Sequence, residues 1–285
     1  MTMKGTGTSH GAATIVSAFA SGKGAAFGID LSTTAEVELS EGDGTEVIID
    51  GFSNESTALA ENCVRAVLGA KAPGRKYHAR VVTRSTIPVS RGLKSSSAAA
   101  NAIIFGTLDA LGEGMDELAA IRLGTKAAID AGVSVTGAFD DACASRFGGI
   151  VLTDNRSEQI LARDAMPDYL KVLIHVPAFQ IRKASLPKER IAAVRSIVDL
   201  AFQQAQQGDY ARALTLNGMC YSTALGLDQE VSLKALQNGA LAAGLTGSGP
   251  ATVMLVVEDK VKEFISSMKG YDLKMVDLYN GGGER

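Results

Sequence analysis

Cysteine is scarce in this chain of 285 residues: Cys63, Cys143 and Cys220 are odd in number, far apart and form no CxxC pair. That argues against both a disulfide framework and a thiolate zinc site, and fits a reducing compartment. Histidine is equally sparse, with His10, His78 and His175 dispersed along the chain. Neither a metal cluster nor a Ser/His/Asp triad can be assembled from that order, and His78 and His175 fall within strand patterns where a structural role is usual. No apolar run approaches the roughly 20 residues that span a bilayer. Met1 to Gly11 is small and polar rather than a basic patch followed by an apolar core, so no signal peptide is expected and the protein reads as cytoplasmic, without a membrane partner. The formal net charge is only −3, and no basic block is interleaved with aromatics. Nucleic acid is therefore not an expected partner. No internal repeat or low-complexity segment stands out. A Walker A loop is also missing, because Gly22-Lys23 is followed by Gly24 and has Ser17 where the first glycine belongs.

What is present is an ordinary globular balance, 46% hydrophobic and 21% charged residues, in a length that suggests two domains. Glycine is the outlier, with 31 residues, thirteen of them in clusters at 5 to 11, 22 to 28, 132 to 149 and 244 to 249. Such clusters are expected to be tight turns where backbone approaches a ligand. Ala35–Leu39 and Glu46–Ile49, around Glu41-Gly-Asp-Gly44, read as a hairpin. Helical spacing follows from 53 to 70, and Tyr77–Arg84 reads as a strand. Helices are expected over Ser95–Leu111 and Asp116–Ala131, and a strand over 150–153. The polar stretch 154–167 reads as irregular, and the domain boundary is placed there, giving domains 1–155 and 156–285. Beyond it, strands are expected at 170–176, 251–257 and 273–278, and helices at 187–206, 210–221, 231–243 and 259–268. The order suggests an α+β sandwich.

The segment Pro88-Val-Ser-Arg-Gly-Leu-Lys-Ser-Ser-Ser-Ala-Ala-Ala-Asn101 carries the clearest chemistry. Pro88 fixes an extended approach, Gly92 permits an unusual turn, and Ser95, Ser96 and Ser97 stand where a helix begins. Unpaired N–H groups and the positive dipole end at such a start attract phosphate. The hydroxyls can add hydrogen bonds or reach Mg²⁺, while Arg91 and Lys94 supply positive charge. An ordinary N-cap needs only one serine. Asp140-Asp141, ahead of Arg146 and Gly148-Gly149, can serve as acid, base or cation ligand; a carboxylate against a substrate hydroxyl accepts its proton as the oxygen attacks a γ-phosphoryl group. One of the two could instead simply cap a short helix over 139–146.

Pro88-x-x-x-Gly-Leu-Lys-Ser-Ser-Ser-Ala98 resembles the second motif of the GHMP kinases, the galactokinase, homoserine, mevalonate and phosphomevalonate kinase superfamily. Leu245-Thr-Gly-Ser-Gly-Pro-Ala-Thr252 is similar to its third motif, and Gly22 to Asp30 takes the place of its first. Arg91–Ser97 and Thr136–Ala142 look most like archaeal-type shikimate kinases, a branch of that superfamily. The resemblance implies a two-domain α+β fold, with an N-terminal ribosomal-protein-like and a C-terminal ferredoxin-like domain, and ATP-dependent phosphorylation of the 3-hydroxyl of shikimate. It further implies ATP contacts from Arg91, Gly92, Leu93, Lys94, Ser95, Ser96, Ser97, Ala98, Gly247, Ser248 and Gly249. Either Asp140 or Asp141 would be the base, with Asp140 favoured, and Lys23 would lie beside it to lower its pKa. Mg²⁺ would rest on Ser96 or Ser97 plus an acidic residue, for which Asp130 stands where relatives commonly carry glutamate. Arg84, Arg91 and Arg146 are the candidates for a substrate carboxylate, and Gly28 and Asp30 for other substrate contacts. Homoserine or mevalonate kinase, and a non-catalytic nucleotide-binding homologue, are the alternatives; the oligomeric state, monomer or homodimer, stays open.

Overall fold

A computed structural model describes residues 2–52, 55–134, 137–179, 181 and 186–282. Two sheets organise them. The first has six strands in the order β3-β4-β2-β5-β6, with β1 also paired to β2. Its spine is the 19-residue strand β2 (Lys23–Glu41). Along one side runs β1 (Met3–Val16); on the other, β4 (Tyr77–Ser85) pairs with residues 33–41 and β5 (Ile150–Asp154) with residues 23–27, all antiparallel.

The glycine-rich N-terminus is thus a strand, and Gly5 and Gly7 meet a helix rather than a ligand. A Cβ on Gly7 would stand 2.1 Å from the carbonyl oxygen of Ala102, so only glycine lets α2 (Ser95–Leu111) lie directly on β1. Ten of the 17 residues of α2 are buried. That explains its nearly continuous apolar surface: it packs among β1, α1 (Ala58–Lys71), α3 (Glu117–Asp130) and α4 (Phe139–Phe147).

The expected hairpin does not form. β3 (Thr45–Ile49) pairs with β4, in parallel, and β4 separates it from β2. The cause is the intervening α1: a helix between two strands allows the crossover that parallel pairing requires. Nor is 154–167 wholly irregular, because β6 (Gln159–Asp164) pairs with β5. The chain leaves the first sheet only between Asp164 and Leu170.

The second sheet is antiparallel, in the order β10-β7-β9-β8. It contains β7 (Leu170–His175), β8 (Ala242–Leu245), β9 (Thr252–Val257) and β10 (Leu273–Val276). Alternation along β7 divides its two faces. Val172 and Ile174 join the core of α5 (Lys188–Ala193), α6 (Arg195–Gln206) and α7 (Tyr210–Leu225), while Leu173 joins α8 (Glu230–Gln237) and α9 (Val261–Ser267). The helix expected over 187–206 is therefore two helices, and the one expected over 231–243 stops at Gln237 before the chain enters β8.

The larger apolar cluster is shared by both sheets, running from Ile15 and Phe27 through Phe202 and Tyr221 to Val253. Beyond β10 the chain returns to the first sheet. The Asp30 amide donates to the Asp277 carbonyl, and Tyr279 donates to Gly28 and accepts from the Gly149 amide at 2.8 Å. Asn280 clamps the backbone of Met166 from both its amide and its carbonyl side. His10 stacks on Tyr279 with ring centroids 3.5 Å apart. No helix among the described residues is long and apolar enough to cross a membrane.

Candidate active site

A cavity of about 520 Å³ opens where the two sheets meet. One wall is the loop that leads into α2. Lys94 takes a left-handed conformation, φ +65°, as the N-cap of that helix, and its side chain turns away instead of capping. The amides of Ser95, Ser96 and Ser97 therefore head the helix without intrahelical partners, and all three residues line the cavity. Amides left open in this way at a helix start can hold an anion. Leu93 and Ala98, 1% and 0% exposed, anchor the turn in the core.

The second wall is the first turn of α4. Asp140 is 4% exposed, and a Cβ on Gly24 would lie 2.3 Å from its Oδ2; β2 thus needs a glycine there to admit the carboxylate. Asn155 Nδ2 donates to Asp140 Oδ1 at 2.7 Å, and Asn155 is in turn held by the Thr153 hydroxyl at 2.6 Å. Asp141 faces Lys94, whose Nζ stands 2.8 Å from Asp141 Oδ1 with both side chains largely buried. The approach lies off the line of a hydrogen bond, leaving that oxygen without a hydrogen-bond donor among the described residues. Burial and then the Asp141 charge push Asp140 up to about 7, against the pull of Lys94 and Asn155. The site thus holds one carboxylate poised near neutrality beside an ion-paired one. α4 itself is pinned by Asn101, donating to the Ala142 carbonyl, and by Ser9, donating to that of Ser145.

The third motif closes the cavity from the second sheet. Thr246 Oγ1 accepts from the Thr14 amide and donates to the Gly92 carbonyl, and the Gly247 amide donates to Thr14 Oγ1. Gly247 and Ser248 line the cavity, whereas Gly249 is spent on the turn through its bond to Thr246.

Other expected residues lie elsewhere. Lys23 is exposed, and its ammonium stands 5.7 Å from the centroid of the Phe202 ring, on a different surface from the cavity. The lysine that meets the carboxylates is Lys94. Asp130 ends α3 exposed and outside the cavity lining; Glu55 is the further carboxylate that lines it. Arg91 donates to the carbonyls of Pro177 and Phe179, tying its loop to the exit of β7. Arg84 pairs with Glu36, and Arg146 pairs with Glu117 over the Phe105 ring. All three guanidinium groups are engaged outside the cavity. Gly28 receives Tyr279, and Asp30 stands 3.6 Å from His10. Thr136, which opens the string Thr136–Ala142, lies outside the described residues.

Residues 58–149 match the GHMP kinases N terminal domain, and residues 202–272 match GHMP kinases C terminal. The chain belongs to the GHMP kinases. Relatives agree in detail. The shikimate kinase of Methanothrix thermoacetophila is 46% identical over 94% of this chain and 92% of its own length. That of Methanosarcina mazei is 46% identical over 94% and 90%, and that of Halobacterium salinarum 40% over 92% and 91%. Within the superfamily the chain therefore falls in the family of these archaeal enzymes. Among solved structures, the homoserine kinase of Cytophaga hutchinsonii superposes with a TM-score of 0.75 at 19% identity, covering 99% of this chain and 96% of that one. The galactokinase of Lactococcus lactis, complexed with galactose, gives 0.79 at 15%, covering 98% and 94%. These likenesses show the shared two-domain α+β fold. A GHMP kinase is a phosphotransferase that uses ATP as its donor and acts on a small molecule.

Proposed function

We propose that this protein transfers the γ-phosphoryl group of ATP to the 3-hydroxyl of shikimate, in the cytoplasm, as a step of chorismate and aromatic amino-acid synthesis. The observation that carries the reaction type is the junction of a bare helix N-terminus with a buried carboxylate held near 7 in one cavity. Shikimate as the acceptor is supported by the shikimate kinases that are relatives at 40 to 46% identity over nearly the whole chain. Three free, buried cysteines suit a reducing compartment.

In this reading the polyphosphate lies over the amides of Ser95 to Ser97 and against Gly247 and Ser248. Asp140 is the base. The acceptor oxygen attacks the γ-phosphorus, its proton passes to the Asp140 carboxylate, and the bond from phosphorus to the β,γ-bridging oxygen breaks to release ADP. Lys94 pairs with Asp141, offsets the charge gathered at the junction, and favours the ionised form of Asp140 that accepts a proton. The hydroxyls of Ser96 and Ser97, with Glu55 in place of Asp130, form a hard oxygen set that fits Mg²⁺. Bound there, Mg²⁺ would neutralise phosphate charge.

The test is turnover of a panel of shikimate, homoserine and mevalonate with ATP and Mg²⁺, followed by ADP release, with the product located by phosphorus NMR. Phosphorylation of shikimate at the 3-hydroxyl is expected. Preference for another acceptor refutes the substrate, and ATP binding without turnover of any acceptor refutes the enzyme.

A further inference from the structure

Two buried polar side chains on α7 are used neither for the phosphate cradle nor for the carboxylate pair. Asn217 and Tyr221, each 1% exposed, stand four residues apart on one face of that helix. Both reach from the second half of the chain to the loop that joins β1 to β2. Asn217 Oδ1 accepts from the Ser17 amide at 2.9 Å. The Tyr221 hydroxyl accepts from the Ala20 amide at 2.9 Å and donates to the Ser17 carbonyl at 3.3 Å. Three backbone groups of a four-residue segment are thus satisfied by one helix face.

That segment is a wall of the cavity, contributed by Ser17, Ala18 and Phe19. It also belongs to the scaffold under the base. The Gly22 amide bonds back to the Ala18 carbonyl, the Gly22 carbonyl accepts from the Asn155 amide, and Asn155 holds Asp140. The polyphosphate side of the cavity is built from different parts, the α2 N-terminus and the loop at Gly247, and neither receives a hydrogen bond from Asn217 or Tyr221. The wall that shares the Asp140 scaffold is the one beside which a hydroxyl must sit to give up its proton.

We infer that Asn217 and Tyr221 are positioning residues for the acceptor: α7 sets the position of the 17–20 backbone and thereby the fit of the molecule phosphorylated, without touching it. The inference rests on the kinase reading and on Asp140 as base. The wall is held from beneath by groups buried among apolar neighbours, where a lost partner leaves a backbone amide or carbonyl unpaired and the loop free to shift.

The experiment measures both Michaelis constants in Tyr221→Phe, which keeps the ring and removes the hydroxyl, and in Asn217→Ala. The acceptor KM is expected to rise about tenfold in each, with the ATP KM within about twofold of wild type, as expected when only the acceptor is displaced. Tyr221→Phe preserves the packing of the side chain, so it keeps the test open where Asn217→Ala fails to fold. An unchanged acceptor KM, or one that rises in step with that for ATP, overturns the inference. Lack of wild-type turnover with shikimate overturns the substrate reading instead, and the two constants are then measured with the acceptor that the panel identifies.

Discussion

Replacing Asp140 with asparagine is expected to stop the reaction and stabilise the protein in the same stroke. Asp140 ordinarily ionises near 3.8 but is pushed up to about 7 in the fold. Between those values the folded chain holds a proton that the unfolded chain has released, so stability falls as pH rises across the window and levels off above about 7. The full interval corresponds to about 4 kcal/mol. Asparagine carries the shape of the neutral acid and keeps an oxygen for Asn155, so it escapes this cost. Its advantage over wild type grows by about 2 to 3 kcal/mol from pH 5 to pH 8. For a chain of this size that is about 3 to 5 °C in Tm. Thermal unfolding of both proteins across that range reads the difference directly, while turnover falls by about 10² to 10⁴ and ATP affinity stays close to wild type. A Tm difference that does not change with pH, or a variant less stable at pH 8 than at pH 5 relative to wild type, refutes the account of Asp140.

The neighbours of Asp140 carry predictions of opposite sign. Since the Asp141 charge raises Asp140 and Lys94 lowers it, Asp141→Asn moves the acidic limb of kcat/KM to lower pH, and Lys94→Met moves it higher. Both shifts are read from pH profiles of the purified variants. Lys94→Met also leaves Asp141 buried without its cation, at a cost of about 3 to 5 kcal/mol in denaturant unfolding. Gly24→Ala places a methyl 2.3 Å from Asp140 Oδ2, and kcat should drop by at least about tenfold as the carboxylate is displaced; near wild-type turnover would show that Asp140 need not hold this position.

Much of the site can be read from neighbouring residues in the chain, because the features are local. A run of three serines before an alanine-rich, apolar segment announces both the start of α2 and its burial. Adjacent aspartates necessarily share one turn. What fails is whatever depends on direction or distance. Lys23 and Gly24 are neighbours, yet alternation along β2 sends Gly24 towards Asp140 and Lys23 towards Phe202. That the left-handed backbone of Lys94 brings its ammonium to Asp141 is likewise invisible in the spacing. Asn155 sits in a polar stretch that gives no sign of the carboxylate it holds, 15 residues away. Tyr221 and Ser17 are separated by 204 residues, and no spacing rule links them. The false hairpin has a similar origin: two short strands around a glycine turn look paired until α1 carries the chain across to β4.

The return of residues 277–280 to the first sheet ties the finishing of the site to the order of synthesis. β2 and α4, which hold the glycine floor and both aspartates, leave the ribosome well before the segment that closes over them. Until Tyr279 arrives, the Gly28 carbonyl and the Gly149 amide at the far end of α4 lack the partners they have in the folded chain. A nascent chain can therefore form the start of α2 early, but α4 gains its last support only once the segment at 277–280 has followed.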